Sequence, residues 1–241
     1  ICIAPWGYGR ALYIDHPNGT SSVYAHMQKF TAEVEKFVDN SRYSQKKHNV
    51  DLYVTTDKFP VKKGQLIGYS GNSGSSMGPH LHFEIRHTAS QRPVNVLQQK
   101  IVDIKDDIPP TIVKLHYITV DTIAGVPVQS EPTSMAVVKK SDSVFTLSND
   151  AVVEVGRNGY FVLECTDRKN NSHNTMGMYS VTMDVDSTRV FGFKLDGFLF
   201  SETRYVNSFT HYAMQKGSRN ELVRLAVQEN NRLKIYDNVR N

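Results

Sequence analysis

Two histidines separated by one residue, His80 and His82, open the chemistry of this chain. The segment His80-Leu81-His82-Phe83-Glu84-Ile85-Arg86 alternates strictly between polar and apolar residues. On a strand, alternate side chains share a face, about 7 Å apart along the chain. His80, His82, Glu84 and Arg86 therefore form a polar face, and Leu81, Phe83 and Ile85 an apolar face that pins the strand. Paired imidazoles so placed suit metal binding or acid–base work; plain surface alternation gives the same pattern. His26 adds a third imidazole. It sits in the alternating run Ser22-Val23-Tyr24-Ala25-His26-Met27, on the face of Ser22 and Tyr24. If the two segments are neighbours in one sheet, within about 10 Å, three imidazoles meet over one groove.

The loop Ser70-Gly71-Asn72-Ser73-Gly74-Ser75-Ser76-Met77-Gly78-Pro79 leads into this segment. It has no Gly-Lys-Ser/Thr ending and no helix follows it, which excludes a phosphate-binding P-loop. The Gly-x-Ser-x-Gly spacing of a nucleophile elbow is not met around Ser73. The loop reads instead as a tight, flexible rim that lets a substrate backbone approach closely. The other histidines are blander. His16 precedes Pro17 in a turn, and His87, His116, His173 and His211 read as surface or satisfied polar groups. Asp106-Asp107 and Asp184-Val185-Asp186 are acidic, but no loop of alternating ligands supports calcium.

Strands must hold these groups. Ala11–Ile14 and Ser22–Met27 flank the turn cluster Asp15-His16-Pro17-Asn18-Gly19 and predict an antiparallel pair. Phe30, Val34, Phe37 and Val38 recur at helical spacing, predicting one inserted helix over 29–48 with Thr31 as its cap. A short strand is expected at 51–54, and another at 60–69, bent at Gly64. Asp106-Asp107-Ile108-Pro109-Pro110 reads as a linker between a domain at 1–105 and one at 106–241. Beyond it, strands are expected at 111–120, 135–139, 144–147, 160–166, 178–185 and 190–195, a spacing that suggests an antiparallel sandwich. Tyr205, Phe209 and Tyr212 predict a helix over 201–215.

Composition narrows the function classes. The chain has 241 residues, 39% of them apolar and 22% charged, enough for a real core and against wholesale disorder. Net charge is +4, too mild to mark a nucleic-acid binder. The excess is local: residues 1–103 hold 12 Lys+Arg against 8 Asp+Glu, and residues 104–241 hold 16 of each. An anionic material meeting the first part fits this, as does a chance surface excess. No apolar run approaches the ~20 residues of a membrane span. Cys2 and Cys165 define no disulfide framework. The sequence begins at Ile1 with no signal-peptide pattern, as expected of a processed form or an internal piece.

In order along the chain, Gly7-Tyr8-Gly9, Tyr13-Ile14-Asp15-His16, Val23-Tyr24-Ala25-His26-Met27, Val61-Lys62-Lys63-Gly64-Gln65-Leu66-Ile67-Gly68 and Gly71-Asn72-Ser73-Gly74-Ser75-Ser76-Met77-Gly78-Pro79-His80-Leu81-His82-Phe83-Glu84 resemble the lysostaphin/LytM-type zinc metallopeptidases. The resemblance covers about residues 1–100. It implies an antiparallel β-sheet peptidase domain with a central groove, akin to a lipoyl-like hybrid motif. It further implies a zinc cofactor with His82 as a ligand, and His26 and His80 as catalytic histidines. The implied substrate is the peptide part of bacterial peptidoglycan, cleaved outside the cytoplasm, in the periplasm or elsewhere in the cell envelope. The family's other two zinc ligands, a His and an Asp four residues apart, lie upstream of the stretch resembling residues 7–16, and this chain contains no His-x-x-x-Asp. Asn95-Val96 stands where the family commonly has Asn-Pro.

Two readings follow. Either the chain is cut from a zinc endopeptidase of peptidoglycan, or it is a murein-binding or hydrolase-activating module that has lost its zinc site. The second region loosely resembles immunoglobulin-like β-sandwiches attached to envelope proteases. It is the expected surface for an envelope protein partner, and in a third reading that interaction is the protein's real function. The overall expectation is a mainly β protein.

Overall fold

In the first hairpin, Gly19 turns with φ +78° and the Asn18 side chain accepts from Thr20 N at 3.1 Å. The computed structural model describes residues 1–150, 152–156 and 158–237, and the chain divides into two compact units, 1–96 and 97–241. Strands β1 (Cys2–Ile3), β2 (Arg10–Asp15), β3 (Thr20–Ala25), β4 (Met27–Phe30), β5 (Val50–Asp51), β6 (Gly68–Ser70), β7 (His82–His87) and β8 (Pro93–Val94), with helix α1 (Ala32–Gln45), build the first unit. Six strands form one sheet in the order β5-β1-β2-β3-β7-β8, and β4 pairs with β6. Every pairing is antiparallel, and β3 and β7 are direct neighbours with Ala25 opposite His82.

Helix α1 starts at Thr31 as expected, but the Thr31 hydroxyl makes no capping bond. The Glu35 carboxylate takes over: it accepts from Phe30 N at 2.6 Å and pairs with Arg10. Val34 and Val38 bury against Leu12, Met27 and Phe30 in the core of this unit. The strand expected at 60–69 is corrected to Gly68–Ser70. Its front half is a turn, with Gln65 N bonded to Lys62 O and Gly64 at φ +84°.

The second unit, taken by itself, is also mainly β. Strands β9 (Thr111–Ile123), β10 (Val126–Gln129), β11 (Thr133–Ser141), β12 (Val144–Leu147), β13 (Gly159–Arg168), β14 (Thr175–Met176) and β17 (Glu221–Arg224) form a seven-stranded sheet around β9 and β13. Strands β15 (Ser180–Val185), β16 (Thr188–Lys194) and β18 (Tyr236–Asp237) form a second sheet. Leu163, Cys165 and Val223 of the first sheet and Phe191 and Phe193 of the second share one buried cluster. Pro109-Pro110 leads directly into β9. The helix expected at 201–215 is broken. A 3-10 turn over Phe200–Tyr205 and the short helices α2 (Val206–Phe209) and α3 (Tyr212–Gln215) replace it, because Thr210 is extended and bridges to Val223.

Candidate active site

The two strands bring the histidines together. The His26 ring centroid lies 4.8 Å from that of His80 and 5.6 Å from that of His82, well inside the expected separation. His26 does not sit within its strand, however. It follows β3 at φ +57°, in the left-handed region that costs a non-glycine residue energy unless its surroundings hold it. They do so here: His26 N donates to Tyr8 O at 2.9 Å, and its ring Nδ1 lies 2.8 Å from Ser73 O. The residue is 6% exposed.

Two glycine loops form the seat. Gly9 has φ +65°, and a Cβ there would come within 2.5 Å of the Ser73 backbone. A Cβ on Gly74 would collide with Gly7 and Gly9. Ser75 N donates to Gly7 O, Gly7 N to Ser75 Oγ, and Ser73 Oγ accepts from Arg10 N and donates to Met27 O. The expected flexible rim is thus a stitched one. These glycines serve loop-on-loop packing, and Ser73 is fixed where its carbonyl orients His26. The stretch Gly74-Ser75-Ser76-Met77-Gly78 does carry Gly-x-Ser-x-Gly spacing, which the sequence reading passed over. Ser76 Oγ donates to Gly78 O at 2.9 Å; it also lies 3.3 Å from His80 Nδ1, but that nitrogen itself donates to Gly78 O and so is not a base for the hydroxyl.

Acceptor identity settles which ring nitrogen carries each proton. A carbonyl oxygen only accepts, so Nδ1 of His26 donates to Ser73 O and Nδ1 of His80 donates to Gly78 O at 2.8 Å. Both therefore keep Nε2 as the basic nitrogen in the neutral ring. His82 differs: its Nε2 lies 2.5 Å from Glu84 Oε1. An imidazole tied to a carboxylate through one nitrogen has the chemistry of a metal ligand at the other. Among the described residues, no group of three or more His, Cys, Asp or Glu is placed to hold a metal ion. Among the described residues, His82 offers the chemistry of one metal ligand, not a whole site.

Behind His82 lies a polar cluster that the sequence reading left without a role. Glu84 accepts from Tyr8 Oη at 2.6 Å and from Arg86 Nε at 2.7 Å. Burial alone would raise the Glu84 carboxyl; hydrogen bonds from Arg86, Tyr8 and His82 and the Arg86 charge outweigh it and lower it to about 2. Burial, together with Glu84, pushes the Tyr8 phenol up to about 12. The anchoring apolar face is partly as expected: Ile85 is buried and Phe83 packs on Tyr24, but Leu81 is 48% exposed. His80 precedes β7 and is held by a bridge to Gly71. Of the remaining histidines, His116 and His211 are buried rather than surface groups, both in the second unit.

Fold and side chains together define a mainly β domain with a histidine-lined site. Residues 39–96 match the family model described as Peptidase family M23, a stretch that holds His80, His82 and Glu84, with His26 before it. The chain is 36% identical over 89 residues to "DD-carboxypeptidase/endopeptidase Mpg" of Neisseria meningitidis serogroup B and of Neisseria gonorrhoeae, across 37% of this chain and 15% of each relative. It is 49% identical over 41 residues to "Peptidoglycan DD-endopeptidase ShyA" of Vibrio cholerae, across 17% of this chain and 9% of that protein. The chain thus spans 15% or less of the length of these relatives. The matched stretch bears out a resemblance to the lysostaphin/LytM-type peptidases of family M23.

Proposed function

We propose that this chain carries the cleaving domain of a zinc-dependent endopeptidase that hydrolyses peptide bonds of bacterial peptidoglycan in the cell envelope, outside the cytoplasm. The observation behind this reading is the clustering of His26, His80 and His82, each tied at one ring nitrogen and without a partner at the other among the described residues. The printed names of the Neisseria and Vibrio relatives point to peptidoglycan as the substrate. A zinc ion, held through His82 and ligands outside the described residues, would supply an acidified water and a Lewis acid. The free Nε2 of His26 or His80 accepts the proton of the attacking water; the other, protonated, stabilises the oxyanion and protonates the leaving amine. The basic excess of residues 1–103 suits an anionic wall polymer.

The alternative expected from the sequence, a module that binds murein or regulates another hydrolase without cutting, is separated by the same experiment. Release of soluble muropeptides from purified sacculi by the full-length protein, with zinc, tests both. Cleavage is expected, and His26→Ala and His80→Ala should each slow it by roughly 10²–10⁴-fold. Parental rates in both variants would overturn the roles, and binding to sacculi without release would support the second reading.

A further inference from the structure

The cluster behind His82 has a direction. Arg86 can only donate, and its Nη2 donates to Tyr8 Oη at 2.9 Å. The single Tyr8 proton therefore goes to Glu84 Oε1, at 2.6 Å. Arg86 Nε occupies the other carboxylate oxygen at 2.7 Å. With donors already on both oxygens, Glu84 faces His82 as an acceptor, and His82 Nε2 must bring the proton. The Glu84 side chain is 15% exposed and that of Arg86 7%, so water does not substitute easily for any partner. The Tyr8 ring lies edge-on to His82 with centroids 4.9 Å apart, which fixes the rotation of the imidazole as well as its proton.

We propose that Glu84, clamped by Arg86 and Tyr8, is a positioning residue that locks His82 as the Nε2–H tautomer and turns Nδ1 outward as its working nitrogen. His26 and His80, held by carbonyl oxygens, are locked the opposite way. The three clustered rings then present two kinds of nitrogen, Nδ1 from His82 and Nε2 from His26 and His80. Tyr8 joins the two halves, since its carbonyl takes His26 N while its hydroxyl takes part in the Glu84 clamp. The consequence for hydrolysis rests on the peptidase reading above; the tautomer does not.

Glutamine at position 84 makes the test sharp. It has one oxygen, which the Arg86 guanidinium claims, so its amide NH₂ turns toward His82 and forces Nε2 to accept. Long-range ¹⁵N–¹H correlation spectra of the histidine-labelled full-length protein, freed of zinc by a chelator and at a pH where the rings are neutral, should show Nε2–H at His82 and Nδ1–H at His26 and His80. In the same zinc-free state Glu84→Gln should switch His82 alone to Nδ1–H, and with zinc restored it should slow muropeptide release by about 10–100-fold. Tyr8→Phe, which leaves Arg86 on Glu84, should keep the parental pattern. Nδ1–H at His82 in the parent overturns the inference without any variant needing to fold, as does an unswitched Glu84→Gln protein. The predicted tautomers in a protein that releases no muropeptide would uphold the inference and sink the proposed activity instead.

Discussion

Each unit pairs a histidine with a glutamate, and the two pairs are built to opposite ends. In the first unit His82 gives one nitrogen to Glu84 and has no partner for the other among the described residues. In the second unit His116 spends both: Nδ1 meets Ser134 Oγ at 2.8 Å and Nε2 meets Glu164 Oε2 at 3.1 Å. Glu164 in turn accepts from Asn220 at 2.6 Å. The His116 side chain is 4% exposed, whereas that of His82 is 32% exposed. A satisfied histidine joins β9, β11 and β13 and has no nitrogen left for chemistry. Residue types alone do not separate a working imidazole from a pinned one; the count of occupied nitrogens does.

The comparison breaks most visibly at Arg86. Replacing it by Met removes the charge that balances a buried glutamate, and should cost the first unit about 3–5 kcal/mol in equilibrium denaturation followed by a probe confined to that unit. Preserved stability would mean that the clamp does not hold. His116→Ala should cost the second unit about 1–3 kcal/mol, the price of leaving Glu164 short of a partner, while muropeptide release stays at the parental rate. A loss of release would place His116 in the chemistry and erase the distinction. Ser134→Ala should be mildest, about 0.5–1.5 kcal/mol, because the exposed hydroxyl gives up a single hydrogen bond and His116 keeps Glu164; a larger loss in the same denaturation experiment would show that Ser134 carries more of the pin than this geometry assigns.

Legibility in the sequence followed the range of the interaction. The hairpin of β2 and β3 was readable because Pro17-Asn18-Gly19 encodes its own turn, and β7 because six residues alternate. The convergence of His26 with His80 and His82 was legible only on the condition that the two strands are neighbours, which the pairing of β3 with β7 supplies. What was hidden depended on partners far along the chain. His26 reads as a strand residue until the Tyr8 carbonyl and Ser73, 47 residues away, hold it in the left-handed region. Tyr8 reads as one letter in a glycine loop until its hydroxyl reaches Glu84, 76 residues on. Helical spacing over 201–215 is real, but His211 N bonds to Leu222 O and Thr210 bridges to Val223, so strand pairing overrides local propensity.

The contrast between the two histidine–glutamate pairs is tested most directly by zinc stoichiometry. Calorimetric titration of the full-length protein with zinc should show one tight site, lost in His82→Ala and unchanged in His116→Ala, because His82 has a nitrogen to give and His116 has both occupied. Undiminished zinc binding in the His82→Ala protein, or its loss in the His116→Ala protein, would contradict the account.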